Sequence, residues 1–245
     1  MTFCGNLPLL ASHLLAIFLI IVGPIWDYFD TLPLKRDPSP QSRLRQYRRL
    51  VVWLWIAAAV ASWANGITAL TTLRGMGIYV EWLQFPNWTW WLAAVLLLLI
   101  VLLQLVMPVI QVSVKYRNQP FLELRQLEPT RFFLPSSGIE RRWFAALSVT
   151  AGVCEELLFR GFLIRYLHTS PFHLGLLWTI LVASIVFGTH HLYLGFKGFL
   201  SATIGGLVFT ALLLVTGNLW AAMLYHAATD LSVLLYWRPK PAPAP

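Results

Sequence analysis

Inside an apolar run long enough to cross a bilayer, the chain places Glu155-Glu156-Leu157-Leu158-Phe159-Arg160. An ionised residue at the centre of a membrane helix costs about 2.5–3.5 kcal/mol on insertion scales. Three such residues within about one and a half turns do nothing for anchoring. The chain has to fold so that this helix finds partners for them. With His191, His226 and Asp230 further along, the cluster is where chemistry is expected.

The surrounding composition fixes the class. Hydrophobic residues make up 58% of the 245 residues and charged ones 11%, with a mean hydropathy of +0.67. A soluble domain carries roughly 25% charged residues, so this is an integral membrane protein. The 12 Trp and 8 Tyr suit interfacial anchoring as well as packing. The formal charge of +8 does not indicate nucleic acid, because the basic residues concentrate in two loops as a topology signal does. Cys4 and Cys154 lie too far apart in character to suggest a disulfide, and Cys154 reads as a small buried thiol. No basic residue precedes the first apolar run and no small-x-small cleavage site follows it, so a retained first span is expected.

A span needs roughly 20 mostly apolar residues. Candidates lie at 7–26, 50–70, 88–110, 143–167, 174–193, 197–216 and 218–237. The expected fold is all-α, a polytopic membrane helix bundle of about seven transmembrane helices. Short links make the last three spans antiparallel neighbours. Lys35, Arg36, Arg43, Arg45, Arg48 and Arg49 fill the first loop. Lys115, Arg117, Arg125, Arg131, Arg141 and Arg142 fill the third, whereas the second offers Arg74. Loops one and three are then cytoplasmic, the N-terminus outside and the C-terminus inside, with Arg165 as the exception. Residues 118–133 suggest a short interfacial amphipathic helix interrupted by Pro129, or a solvated loop. Ser137-Gly138-Ile139-Glu140 has the form of a capping box opening the fourth span. The chain divides into an N-terminal membrane region at 1–139, a core of four spans at 140–237 and a proline-rich tail at 238–245. No internal repeat favours an inverted-repeat transporter.

Residues four apart share a helix face, and neighbours point about 100° apart. Glu156 and Arg160 therefore pair, acid before base. Glu155 is left on another face, without a local partner, as a general base or acid would be. Gly152 and Gly161 flank the cluster and let other helices approach closely. The plain alternative is that both glutamates only hold helices together. Phe187 and His191 share a face late in the fifth span, and His226 and Asp230 do so in the seventh. His13, His168, His173 and His190 read as structural or surface residues. At about 1.5 Å per residue, Glu155 and His226 come to similar depths, whereas His191 falls several ångströms nearer the cytoplasmic surface.

Glu155-Glu156-x-x-x-Arg160, Phe187-x-x-x-His191 and His226-x-x-x-Asp230, in that order on three late spans, resemble the CAAX-processing and bacteriocin-processing (CPBP, or ABI) family of intramembrane endopeptidases. The likeness covers roughly 140–237, and the string Glu155 to Leu163 is especially close to the family's first motif. The resemblance implies hydrolysis of a peptide bond in a membrane-associated protein or peptide within the lipid bilayer. Glu155 would activate water, and His191 and His226 would complete the catalytic site. Asp230 would sit where the family often has Asn, and Glu156, Arg160 and Phe187 would support the others. Two mechanisms stay open. One needs no cofactor; in the other, Glu155, His191, His226 and Asp230 are the zinc ligand set. A proton-coupled transporter and a non-catalytic peptide-binding or immunity scaffold are the competing functions. The compact size suits a bacterial cytoplasmic membrane. Prenylated CAAX proteins, leader peptides and C-terminal sorting tails are the candidate substrates, and no oligomeric state follows from the sequence.

Overall fold

A computed structural model describes residues 7–79, 128–169 and 171–237, with six scattered helical positions between 95 and 106. The third apolar run, most of the 118–133 segment and the tail beyond 237 lie outside the described residues. Helix α1 runs Leu7–Arg36 and α2 Pro40–Asn65, followed by the short α3, Ile67–Thr71. Helix α4 joins three abutting segments, Gly138–Glu155, Glu156–Leu163 and Ile164–His168. Helices α5, α6 and α7 are Leu176–Thr189, Gly195–Thr216 and Trp220–Tyr236. Among the described residues there is no strand; one isolated bridge joins Thr72 and Asn218. The architecture is a membrane helix bundle, as the apolar pattern requires.

Helix α4 is the hub. It packs against α2 on one side and α7 on the other; α7 continues to α6, α6 to α5, and α1 closes against α2. Its N-terminus carries the expected capping box, with Ser137 and Glu140 exchanging bonds. The interior gathers Phe159, Phe162, Leu163, Phe187, Phe209, Leu213 and Tyr225. The exterior is apolar as well. Leu14, Ile21, Trp26 and Phe29 on α1, Val52 and Trp63 on α2, Phe196 on α6 and Leu224 on α7 are all exposed. Apolar side chains outside and charged ones inside suit a hydrocarbon solvent, which gives lipid-facing surface nothing to gain by being polar.

The two ends of the bundle are tied differently. At one end the α6–α7 turn bonds the end of α3 and the segment after it, through Leu219 N–H to Thr71 O (3.0 Å) and Leu73 N–H to Gly217 O (3.2 Å). Arg165 donates to Gly75 O at this end. At the other end Arg43 of α2 pairs with Glu140 of α4 at 3.3 Å, both buried, and Glu140 also accepts from the Ser136 hydroxyl at 2.9 Å. Tyr47 donates to Phe133 O, at the end of the 3-10 turn Glu128–Phe133.

Burial pushes the Glu140 carboxyl up, but the bonds from Ser136 and Arg43 outweigh it and hold it below its ordinary value. A carboxyl depressed by folding stabilises above its unfolded pKa and loses that contribution as pH falls through its folded one. Glu140→Gln is therefore expected to cost about 1–3 kcal/mol near neutral pH. The deficit should shrink toward acid pH, as thermal melts in detergent across a pH series would show.

Candidate active site

The site is assembled where α4 changes register. From Glu156 to Leu163 its backbone is wound as a π-helix, and the Ile164 N–H reaches Phe159 O as well as Gly161 O. Such wide turns are frequent at functional sites. Gly152, just before this segment, lets α7 come close: a Cβ there would lie 2.7 Å from the Ala227 nitrogen. Gly161, just inside it, lies against Leu70 O in the same way. The residue before Ala227 is His226, so the Gly152 contact carries an imidazole to the glutamates.

His226 is 5% exposed and its two nitrogens face different acids. Nδ1 lies 2.8 Å from Glu156 Oε1. Nε2 lies 3.8 Å from Glu155 Oε2 and 3.8 Å from Asp230 Oδ2. Glu156 also accepts from Arg160 Nη1 at 2.9 Å, and both of these side chains are fully buried. A carboxylate paired with guanidinium can only accept, so the His226 nitrogen facing it carries the proton, and the tautomer is assigned from that bond. The two adjacent glutamates thus flank one ring from opposite edges. Glu156 is sealed in, whereas the Glu155 side chain is 20% exposed and that of Asp230 39%.

Aromatic faces hold the charged groups. The Arg160 guanidinium lies over the rings of Phe187 (4.2 Å) and Phe209 (4.9 Å), where a cation is attracted to the π face. Phe209 also stacks on His226, centroids 4.6 Å apart at 16°. Gly206, one turn earlier on α6, leaves room for Arg160: a Cβ there would lie 3.0 Å from Nη2.

The structure therefore brings Glu155, Glu156, Arg160, His226 and Asp230 together directly. His191 joins through Phe187, whose ring lies 4.9 Å from His191 and 6.0 Å from His226. The His191 Nδ1–H donates to Phe187 O at 3.0 Å. Helix α5 has 14 residues, about 21 Å at 1.5 Å per residue, and stops short of a full ~30 Å crossing. His191 accordingly lies in the turn that follows α5 rather than on the helix. Phe209 was not visible as a site residue, because one Phe in an apolar span carries no distinguishing pattern. His190, read as structural, bonds Asp27 of α1 (2.6 Å), and nothing in the spacing linked those two. Among the described residues no group of three or more His, Cys, Asp or Glu side chains gathers as metal ligands do.

Residues 139–232 match the family described as type II CAAX prenyl endopeptidase Rce1-like. The matched stretch runs from the first turn of α4 into α7 and contains every residue of the three motifs. That stretch is similar to the Rce1-like family, in keeping with the CAAX-processing proteases that the three motifs resemble, and α1 to α3 lie outside it. No curated protein and no solved structure matches the chain. That family's description is of a CAAX prenyl endopeptidase.

Proposed function

We propose that the protein is an intramembrane endopeptidase in which Glu155 activates the attacking water and His226, His191 and Asp230 complete the catalytic site. The observation that carries this reading is the geometry at His226 Nε2. At 3.8 Å from each of two carboxylates it is too far for a direct hydrogen bond, and such a gap is one that a water bridges. Glu155 accepts a proton from that water as its oxygen attacks the scissile carbonyl carbon. The developing oxyanion then needs a donor. His226 supplies one from Nε2 in its protonated form, with its other N–H held by Glu156. Collapse breaks the C–N bond, and Glu155 returns its proton to the leaving amine, giving a carboxylic acid and an amine; transfer of the remaining water proton then leaves a carboxylate and an ammonium. Asp230, partly exposed, donates when protonated and repels the oxyanion when ionised. Glu156 and Arg160 act through His226, not on the substrate.

The mechanism needs no metal, because Glu155 takes the proton of the attacking water and His226 meets the oxyanion. The test is a purified, folded sample in detergent, given a farnesylated peptide ending in Cys-aliphatic-aliphatic-X. Release of the C-terminal tripeptide is expected, undiminished by a zinc chelator, with no stoichiometric metal in the protein. Activity lost to chelator and restored by zinc would overturn the metal-free mechanism. Absence of cleavage, with pH-gradient-driven uptake in vesicles instead, would overturn the protease reading.

A further inference from the structure

Helix α1 lies outside the matched domain, yet it is shaped around His190. From Phe18 to Val22 it is wound as a π-helix, and the Gly23 N–H bonds Phe18 O. In a regular α-helix that N–H would serve Leu19 O. The next candidate in π register is residue 24, which is Pro24 and has no N–H. The Leu19 carbonyl is thus left without a helical partner, an expensive condition in a bilayer. His190 fills it: Nε2–H donates to Leu19 O at 2.8 Å, while Nδ1 faces Asp27 Oδ2 at 2.6 Å. Gly23 makes the space, since a Cβ there would overlap the His190 ring at Cε1. From the other side the Phe159 ring of α4 closes on His190 edge-to-face at 5.1 Å. Beyond His191, Lys35 at the end of α1 donates to Tyr193 O.

The chain between these ties contains His191. We infer that the Gly23-Pro24-x-x-Asp27 segment of α1 is a receptor for His190, and that Asp27 and His190 are positioning residues for His191. Among the described residues the His191 ring makes one hydrogen bond, to Phe187 O, so its placement depends on where the backbone on either side is held. Helix α1 is then part of the enzyme's working geometry rather than an anchor. This inference rests on the role proposed above for His191.

The test combines a cleavage assay with backbone hydrogen exchange of residues 188–195, which needs no substrate. Asp27→Ala is expected to accelerate exchange in that turn roughly tenfold, from the loss of a buried hydrogen bond. The same variant should lower kcat on the order of tenfold or more through misplacement, with KM within about twofold. Gly23→Ala should act in the same direction by expelling the ring. Asp27→Asn should recover most of the loss, since its amide N–H can donate to Nδ1 of a neutral His190. Asp30, on the same helix but bonded to Gln46 and Arg49, supplies the control: Asp30→Ala should match the parent in both readouts. Unchanged exchange in Asp27→Ala and Gly23→Ala would overturn the inference. So would faster exchange with unaltered kcat, or an Asp30→Ala variant as impaired as Asp27→Ala. Glu155→Gln in the same series separates the two claims. If it still cleaves, the proposed site is wrong, while the exchange data still decide whether the receptor exists.

Discussion

Glu155→Gln is expected to lower the cleavage rate by about 10²–10⁴-fold, the range that a positioned general base contributes, and to leave the fold intact. The substitution is isosteric. The Glu155 side chain is partly exposed and stands 3.8 Å from its nearest cationic neighbour, His226 Nε2, so stability should move by no more than roughly 0.5 kcal/mol. An amide keeps the shape of the site but cannot take a proton from water. Melting temperature and kcat measured on the same preparation check both halves. A variant that cleaves normally refutes the role of Glu155, and one that unfolds shows the carboxylate to be structural.

Arg160→Met should fail in the opposite way. Arg160 and Glu156 are both fully buried, bonded at 2.9 Å, and removing the guanidinium leaves an uncompensated carboxylate inside the bundle. Breaking a buried pair from one side costs about 3–5 kcal/mol. The loss should appear as a large drop in melting temperature and in expression. Replacing both partners by apolar residues is often close to neutral, so Arg160→Met with Glu156→Leu should recover much of that stability. Activity should not return, because His226 loses the carboxylate that fixes its tautomer and orientation. Recovery of both together would mean that the pair serves the fold alone.

The parts legible in the sequence were those with local signatures. The Glu156–Arg160 pair followed from four-residue spacing, the start of α4 from its capping box, and the close helix approaches from Gly152 and Gly161. Glu155, His191 and His226 were expected to converge; Glu155 and Asp230 both lie 3.8 Å from His226, whereas His191 reaches His226 through the Phe187 ring. The sequence did not show that Glu156 would reach His226 as well as Arg160. Helical periodicity places residues on faces but does not say which face of α7 opposes α4. The π segments of α1 and α4 were hidden for a related reason: a 3.6-residue count assumes the register that these segments abandon. Asp27 and His190 went unpaired because 163 positions separate them, and no spacing rule reaches across a bundle. The Arg165 bond to Gly75 O joins positions 90 apart in the chain, which no local pattern showed.

If Glu155 and His226 act on one water molecule, their losses cannot multiply. The deciding measurement is kcat/KM for Glu155→Gln, His226→Ala and the double variant, with folding verified for each by thermal melt. The expected result is a double variant no slower than the worse single one, as for residues that work as a unit. Effects that multiply would show two groups acting independently, and the shared hydrolytic centre would be wrong.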